Sequence, residues 1–364
     1  MAINCPFKES ESATLGVEVE LQLVDSRTMV PTSLVGTEQL AGNEYSGCFK
    51  PELFRSMVEI VSPMLHHVEQ VGAFLSDIFR SVQEHLEPLG LTALAAGTHP
   101  FLNHRDAVIV NDPRYHAFLD ELQVVLRRFI ICGMHIHSNV RNGEMAVKAS
   151  NLAAEYLAVF LALTASSPFF EGENTGLKSY RSIIFGSLPR AGLPGYFENY
   201  AKYEELITVL HRCELISSYN DVWWDVRIRP DLGTIELRAC DAVNDTLRIQ
   251  AVAALFQALC HAADRFKSGY LSGQVNSQNK WAAVRHGLDG PFVSAGGRRT
   301  IRETGLKLLA DLEALGIFTE LGTERSIPRI RRFLEQACPA RRMLEIHAQT
   351  QSLSDVAAYS RIGC

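Results

Sequence analysis

Four apolar, strand-like runs of this sequence are interrupted by polar residues at intervals of two: Gly16-Val17-Glu18-Val19-Glu20, Met57-Val58-Glu59-Ile60-Val61, Gly133-Met134-His135-Ile136-His137 and Gly233-Thr234-Ile235-Glu236-Leu237-Arg238. Alternate side chains of a β-strand share a face, so Glu18 projects with Glu20, His135 with His137, and Glu236 with Arg238. Leaving such groups unpartnered on a largely buried sheet costs several kcal/mol apiece, and more for charges. A set rich in carboxylates with an imidazole, and without a cysteine partner, suits hard divalent cations such as Mg²⁺ or Mn²⁺ better than structural Zn²⁺. Such cations usually serve phosphate chemistry.

Each pattern is weak alone. A Glu-x-Glu strand is most often a solvated face, and a buried histidine is most often a satisfied core residue. Here Leu15, Val17, Val19, Leu21 and Leu23 make the opposite face of the first strand continuously apolar. Glu52 lies seven residues before Glu59 and is the weakest candidate carboxylate. Residues two apart on a strand point the same way without close pairing, so Glu236 and Arg238 are expected to serve a common third party.

The rest of the chain reads as one α+β domain over residues 1–364, mixed strand and helix to about 245 and mostly helical afterwards. Spacing predicts a helix after Pro63, with Val68, Val71, Leu75, Ile78, Phe79, Val82 and Leu86 on one face. It also predicts a strand over 91–97, a helix over 113–129, the histidine strand over 130–140, and one Ala-rich helix over 144–165. A hairpin turns at Pro230-Asp231-Leu232-Gly233. Residues 166–200 lack a period and collect turn formers and functional side chains, which makes them a candidate substrate lid. Within them, Gly172 to Ser179 is a near miss for a phosphate-binding loop, with the wrong spacing from glycine to lysine. Phosphates would therefore have to be held by cations and by arginines such as Arg181, Arg227 and Arg238.

With 47% hydrophobic and 21% charged residues, the chain can bury a large core. A net charge of -6 without a basic cluster gives no reason to expect nucleic acid or an anionic membrane as partner. The longest apolar run, Leu157 to Leu163, is too short to span a bilayer. No secretory leader is read at the amino terminus, and the eight cysteines contain no CxxC pair. Both point to a cytoplasmic protein with reduced thiols.

The segments Gly16 to Glu20, Ser56 to Val61, Gly97-Thr98-His99-Pro100, Cys132 to His137, Thr175 to Arg181, and Trp224-Asp225-Val226-Arg227 through Arg238 resemble, in order, the type 2 glutamate-cysteine ligases, or carboxylate-amine ligases. These belong to the glutamine synthetase-like superfamily. The resemblance implies a curved antiparallel sheet forming an active-site funnel with helices outside, the catalytic fold shared by glutamine synthetase and guanido kinases. It implies ATP and Mg²⁺ (or Mn²⁺) as cofactors and amino acids as small-molecule substrates; a homo-oligomer is allowed. It assigns Glu18, His135 and Glu236 to one cation and Glu20, Glu59 and Glu52 to a second. It also sets Trp224, Arg227 and His137 against the nucleotide, and Arg238 and Arg181 at the reacting groups. One departure is Val19, where the family often carries a third acidic residue; alternation puts it on the other face. The expected reaction is ATP-dependent formation of γ-glutamylcysteine through an acyl phosphate. Two competing readings remain: a metal-dependent amidohydrolase centred on His135 and His137, and a weakly active nucleotide- and metal-binding relative of the ligases.

Overall fold

Alternation builds the central strand: β1 (Leu15–Asp25) buries Val17, Val19, Leu21 and Leu23 while Glu18 and Glu20 keep partial access to solvent. A computed structural model describes residues 5–266 and 269–363. Around β1 it assembles β2 (Phe49–Pro51), β3 (Met57–Val61), β4 (Leu91–Leu94), β5 (Gly133–Asn139), β6 (Val226–Arg229) and β7 (Thr234–Asp241). The order is β6-β7-β5-β1-β3-β2, with β4 also paired to β1, and every pairing is antiparallel.

Register carries the functional content. Glu18 lies opposite His135, Glu20 opposite Glu59, and Glu59 opposite Lys50. Glu236 lies opposite both His137 and Arg227. Residues directly opposite in an antiparallel pair share a face, so all of these occupy one side of the sheet. Between β7 and β5 the register shifts from Leu237 to Cys240, leaving Arg238 and Ala239 together against His135. Such a bulge increases twist and re-aims side chains.

The other face is apolar. Helix α1 (Val68–Leu86) turns all seven residues of its predicted stripe into the core and packs on α5 (Thr246–His261), which is buried almost throughout. Two predicted helices are broken. The Ala-rich segment divides into α3 (Gly143–Glu155) and α4 (Leu157–Thr164), bent by 59°. Tyr156 leaves the helix there and sets its ring edge-on to Phe266 at 5.9 Å and stacked on Phe292 at 6.3 Å. Helix α2 (Pro113–Leu122) stops at Gln123, whose φ of 50° interrupts the helix before a further turn at 124–127. Among the described residues no single helix is long and apolar enough to cross a membrane; the bent pair α3 and α4 meets that test only jointly and is mostly buried in the protein.

Ile136 is fully buried between the two histidines of β5 and points away from them. Ile136→Ala should therefore cost about 2–5 kcal/mol in urea denaturation without weakening divalent-cation binding by the folded protein. A cost below about 1 kcal/mol would mean that this face is not the packed one.

Candidate active site

Sheet register becomes side-chain contact on the polar face. His135 Nδ1 is 2.8 Å from Glu18 Oε2, and His137 Nε2 is 3.4 Å from Glu18 Oε1. His135 Nε2 is 3.7 Å from Glu20 Oε1, and its Nδ1 is 4.0 Å from Glu59 Oε1 and 3.9 Å from Glu236 Oε1. His137 Nδ1 is fixed by Thr234 Oγ1 at 3.1 Å.

Three groups have ligand atoms converging within 4.8 Å: Glu18, His137 and Glu236; Glu18, Glu59 and His135; and Glu20, Glu52 and Glu59. The last is the trio expected to hold the second cation. Glu18 and Glu236, expected to share the first cation with His135, also converge with His137, while His135 lies between the two ends, 2.8 Å from Glu18 and 3.9 Å from Glu236. The donor set fits a hard cation, and the Nε2 atoms of both histidines are buried without a hydrogen-bond partner.

The two ends differ electrically. Glu236 is fully buried and receives Arg227 Nε at 2.8 Å and Nη2 at 2.7 Å, with Arg229 Nη1 at 3.6 Å. Arg238 Nη1 also donates to Glu236, which corrects the expectation that the two do not pair; the bulge after Leu237 folds Arg238 back onto its neighbour. Burial opposes ionisation of Glu236, yet Arg238 and Arg227 hold its carboxyl well below the usual range. Glu18 is likewise held far down, against burial, by hydrogen bonds from His135 and His137. At the other end the Leu53 N–H, Arg238 and Lys50 compensate too little. Burial, then the charges of Glu18, Glu52 and Glu20, push Glu59 up to about 10. Burial and Glu20 push Glu52 up to about 8.

A cavity of about 510 Å³ opens from this second end, bounded by Glu52, Glu59, Arg238 and Lys50 and walled by apolar side chains. Trp223, not Trp224, lines it. Trp224 packs on Phe197 at 5.9 Å, outside this cavity. Arg181 is buried against Gly133 and donates to the carbonyl of Arg238 at 3.3 Å, with its Nε and Nη1 free of partners. It borders the site but does not line the cavity.

Part of the expected lid is pinned. Asp241 accepts from Ser166 N at 2.9 Å, Ser167 Oγ at 2.6 Å and Ser179 Oγ at 2.7 Å, drawing both ends of residues 166–179 onto β7. Gly97 lies so close to Asp241 that a Cβ would collide with it, and His99 bonds the carbonyl of Met29 at 2.8 Å; the Gly97-to-Pro100 segment is thus a brace. Sequence reasoning missed Lys50, Trp223 and Arg229. Arg229 had a usable signal, since it sits two residues from Arg227 on one strand.

The site is thus a face of converging carboxylates and imidazoles, flanked by arginines, on an antiparallel sheet. Residues 14–358 match the model of glutamate-cysteine ligase family 2, and the chain belongs to that family. It is 34% identical, over 98% of both chains, to the provisionally named glutamate-cysteine ligase 2 of Gloeobacter violaceus. Its fold is similar to that of the Francisella tularensis glutamate-cysteine ligase crystallised with AMP (TM-score 0.70, 13% identity, 98% of this chain and 88% of that one). It is also similar to a bifunctional glutathione synthetase from Pasteurella multocida (TM-score 0.71, 16% identity), covering 96% of this chain and 52% of that longer one. The amidohydrolase reading finds no support in these likenesses, and the carboxylate-rich face disfavours it too.

In the metal-free protein Glu52 and Glu59 hold protons at pH 7 that their unfolded forms, near the usual 4.5, would release. The stability they contribute is full below about 4.5 and is lost as pH rises through about 8 and about 10. After chelation the melting temperature should fall between pH 7 and pH 10 by this contribution, and added Mg²⁺ should restore more of it at pH 9 than at pH 7. Titration calorimetry in buffers of different ionisation enthalpy should show net proton release on Mg²⁺ binding at pH 7. Proton-neutral binding would contradict the assignment.

Proposed function

We infer that the protein is an ATP-dependent ligase joining the side-chain carboxylate of glutamate to an amine such as that of cysteine, with Mg²⁺ or Mn²⁺ as its cations. The observation that carries this reading is Arg238, which lies where the two ends of the carboxylate face meet: it pairs with Glu236 and borders the cavity beside Glu52 and Glu59. A phosphoryl group passing between a nucleotide and a substrate carboxylate would sit there.

A free carboxylate is a poor acyl donor, so its oxygen first attacks the γ-phosphorus of ATP, releasing ADP and forming an acyl phosphate. The amine then attacks the acyl carbon, and inorganic phosphate leaves. Cations held by Glu18, His137, His135 and Glu236, and by Glu20, Glu52 and Glu59, supply charge neutralisation for the phosphates. Arg238 presents a planar fork to oxygens whose charge changes during transfer. Arg227, anchored on Glu236 and on the carbonyls of Asn220 and Val222, keeps that carboxylate ionised and aimed. Arg181 adds a buried guanidinium with two unused nitrogens for an oxyanion beside Gly133. The apolar cavity wall excludes water that would otherwise hydrolyse the acyl phosphate. We place this reaction in the cytoplasm, where ATP and reduced cysteine occur together.

Incubation with ATP, Mg²⁺, glutamate and cysteine should give ADP, phosphate and γ-glutamylcysteine in equal amounts by mass spectrometry. Nucleotide binding without product would favour the weakly active relative, and hydrolytic products alone would refute the ligase. Arg238→Lys keeps the charge but loses the fork, so kcat should fall at least about 100-fold while KM for ATP moves little. A lowered melting temperature with near-normal kcat would make Arg238 a brace only. Glu59→Gln should abolish Mg²⁺-dependent turnover without loss of stability in the metal-free state, because it replaces a carboxyl that is already protonated at pH 7.

A further inference from the structure

The wall of the cavity beside Glu52 and Glu59 is larger and more apolar than cysteine requires. Phe118, Leu122 and Leu126 come from α2 and the turn after it, Phe129 follows, and Phe185 and Trp223 face them. The rings interlock. Phe118 meets Trp223 edge-on at 5.7 Å, and Phe129 lies 5.9 Å from Phe185. These side chains enclose about 510 Å³ whose polar groups gather at one end, Glu52, Glu59 and Arg238, with Lys50 at the edge strand.

Building on the ligase reading, we propose that the preferred amine carries a bulky apolar group, aromatic or branched aliphatic, seated against this wall. Two other occupants fit less well. The α-ammonium and α-carboxylate of glutamate suit the end that carries Lys50, Arg238, Glu52 and Glu59, whereas against Phe118, Leu122, Leu126, Phe129, Phe185 and Trp223 they would lose hydration with no charged side chain to replace it. The nucleotide belongs to the opposite end of the face: none of Glu18, His137, Glu236 and Arg227 lines the cavity. An amine entering from the apolar side reaches the acyl carbon past Glu59 and Arg238. Cysteine can take the same path, but its small side chain leaves the rings unfilled.

The test uses the full chain with Mg²⁺, ATP and glutamate, and compares kcat/KM for phenylalanine, phenethylamine, leucine and isoamylamine with those for cysteine and alanine. The best apolar amine should exceed cysteine by about tenfold or more, the scale on which hydrophobic pockets discriminate. Phe118→Ala should lower that ratio at least about fivefold, with no rise in KM for ATP. Titration calorimetry with Mg²⁺ and ADP present should show tighter binding of γ-glutamylphenethylamide than of γ-glutamylcysteine, a readout independent of turnover. If cysteine or alanine equals or exceeds every apolar amine while condensation proceeds, the proposal falls and the ligase reading stands. If Phe118→Ala raises KM for ATP and leaves the ratio unchanged, the wall holds the nucleotide base and the proposal falls. If no amine condenses, both fall together.

Discussion

Crowding of half-buried and buried carboxylates on one face of a single sheet is the constraint from which the rest follows. Glu18, Glu20, Glu52, Glu59 and Glu236 approach one another through the pairing of β1 with β3 and β5, and of β5 with β7. No arrangement of apolar packing would bring five acids together in this way, because each loses hydration and repels the others. The protein relieves the strain differently at the two ends. Around Glu236 it supplies its own arginines. Around Glu52 and Glu59 burial and mutual repulsion push the carboxyls up, so that a cation bound there would displace protons. That asymmetry makes Glu236 part of a permanent framework and leaves the Glu20, Glu52 and Glu59 cluster as an exchangeable site.

The bulge in β7 links the ends. Without it Arg238 would continue the alternation of the strand and stand apart from Glu236. With it the guanidinium turns back onto Glu236 while still bordering the cavity, and its backbone N–H bonds the carbonyl of Asp225 at 2.8 Å. Asp225 in turn receives Lys280 at 2.7 Å, so a residue of a later helix helps hold Arg238. The network of Asp241 with Ser166, Ser167 and Ser179 serves the same strand from its other end. Placing Glu236 and Arg238 on one strand also has a consequence for mutagenesis: neutralising Glu236 would leave Arg227 and Arg238 buried with little compensation, so its loss should damage the fold as well as the site.

Much of this was legible in the sequence because period-two alternation is a strong local signal. It put Glu18 with Glu20 and His135 with His137, and it placed Val19, in the family's third acidic position, on the core face, where it is fully buried. The stripe of α1 was equally plain. What escaped depends on register and on tertiary packing. That His137 as well as His135 converges with Glu18 and Glu236 follows from the pairing of Glu236 with His137, and the bulge that lets Arg238 reach Glu236 has no mark in the sequence. Trp223 and Trp224 are adjacent, and only the parallel contact of this pair with Ala191–Gly192 decides which ring enters the cavity. Tyr156 breaks an otherwise uniform helical pattern because two distant phenylalanines hold its ring.

The central claim is that this face transfers a phosphoryl group from ATP to a substrate carboxylate. Glutamate labelled with ¹⁸O in its side-chain carboxylate tests it most directly, with ATP, Mg²⁺ and the amine that gives turnover. An acyl phosphate requires one labelled oxygen to leave with the phosphate for each amide bond formed, so mass spectrometry of the released phosphate should show one ¹⁸O per product. Unlabelled phosphate accompanying labelled product would contradict the account, since the carboxylate oxygen would then never have been bonded to phosphorus.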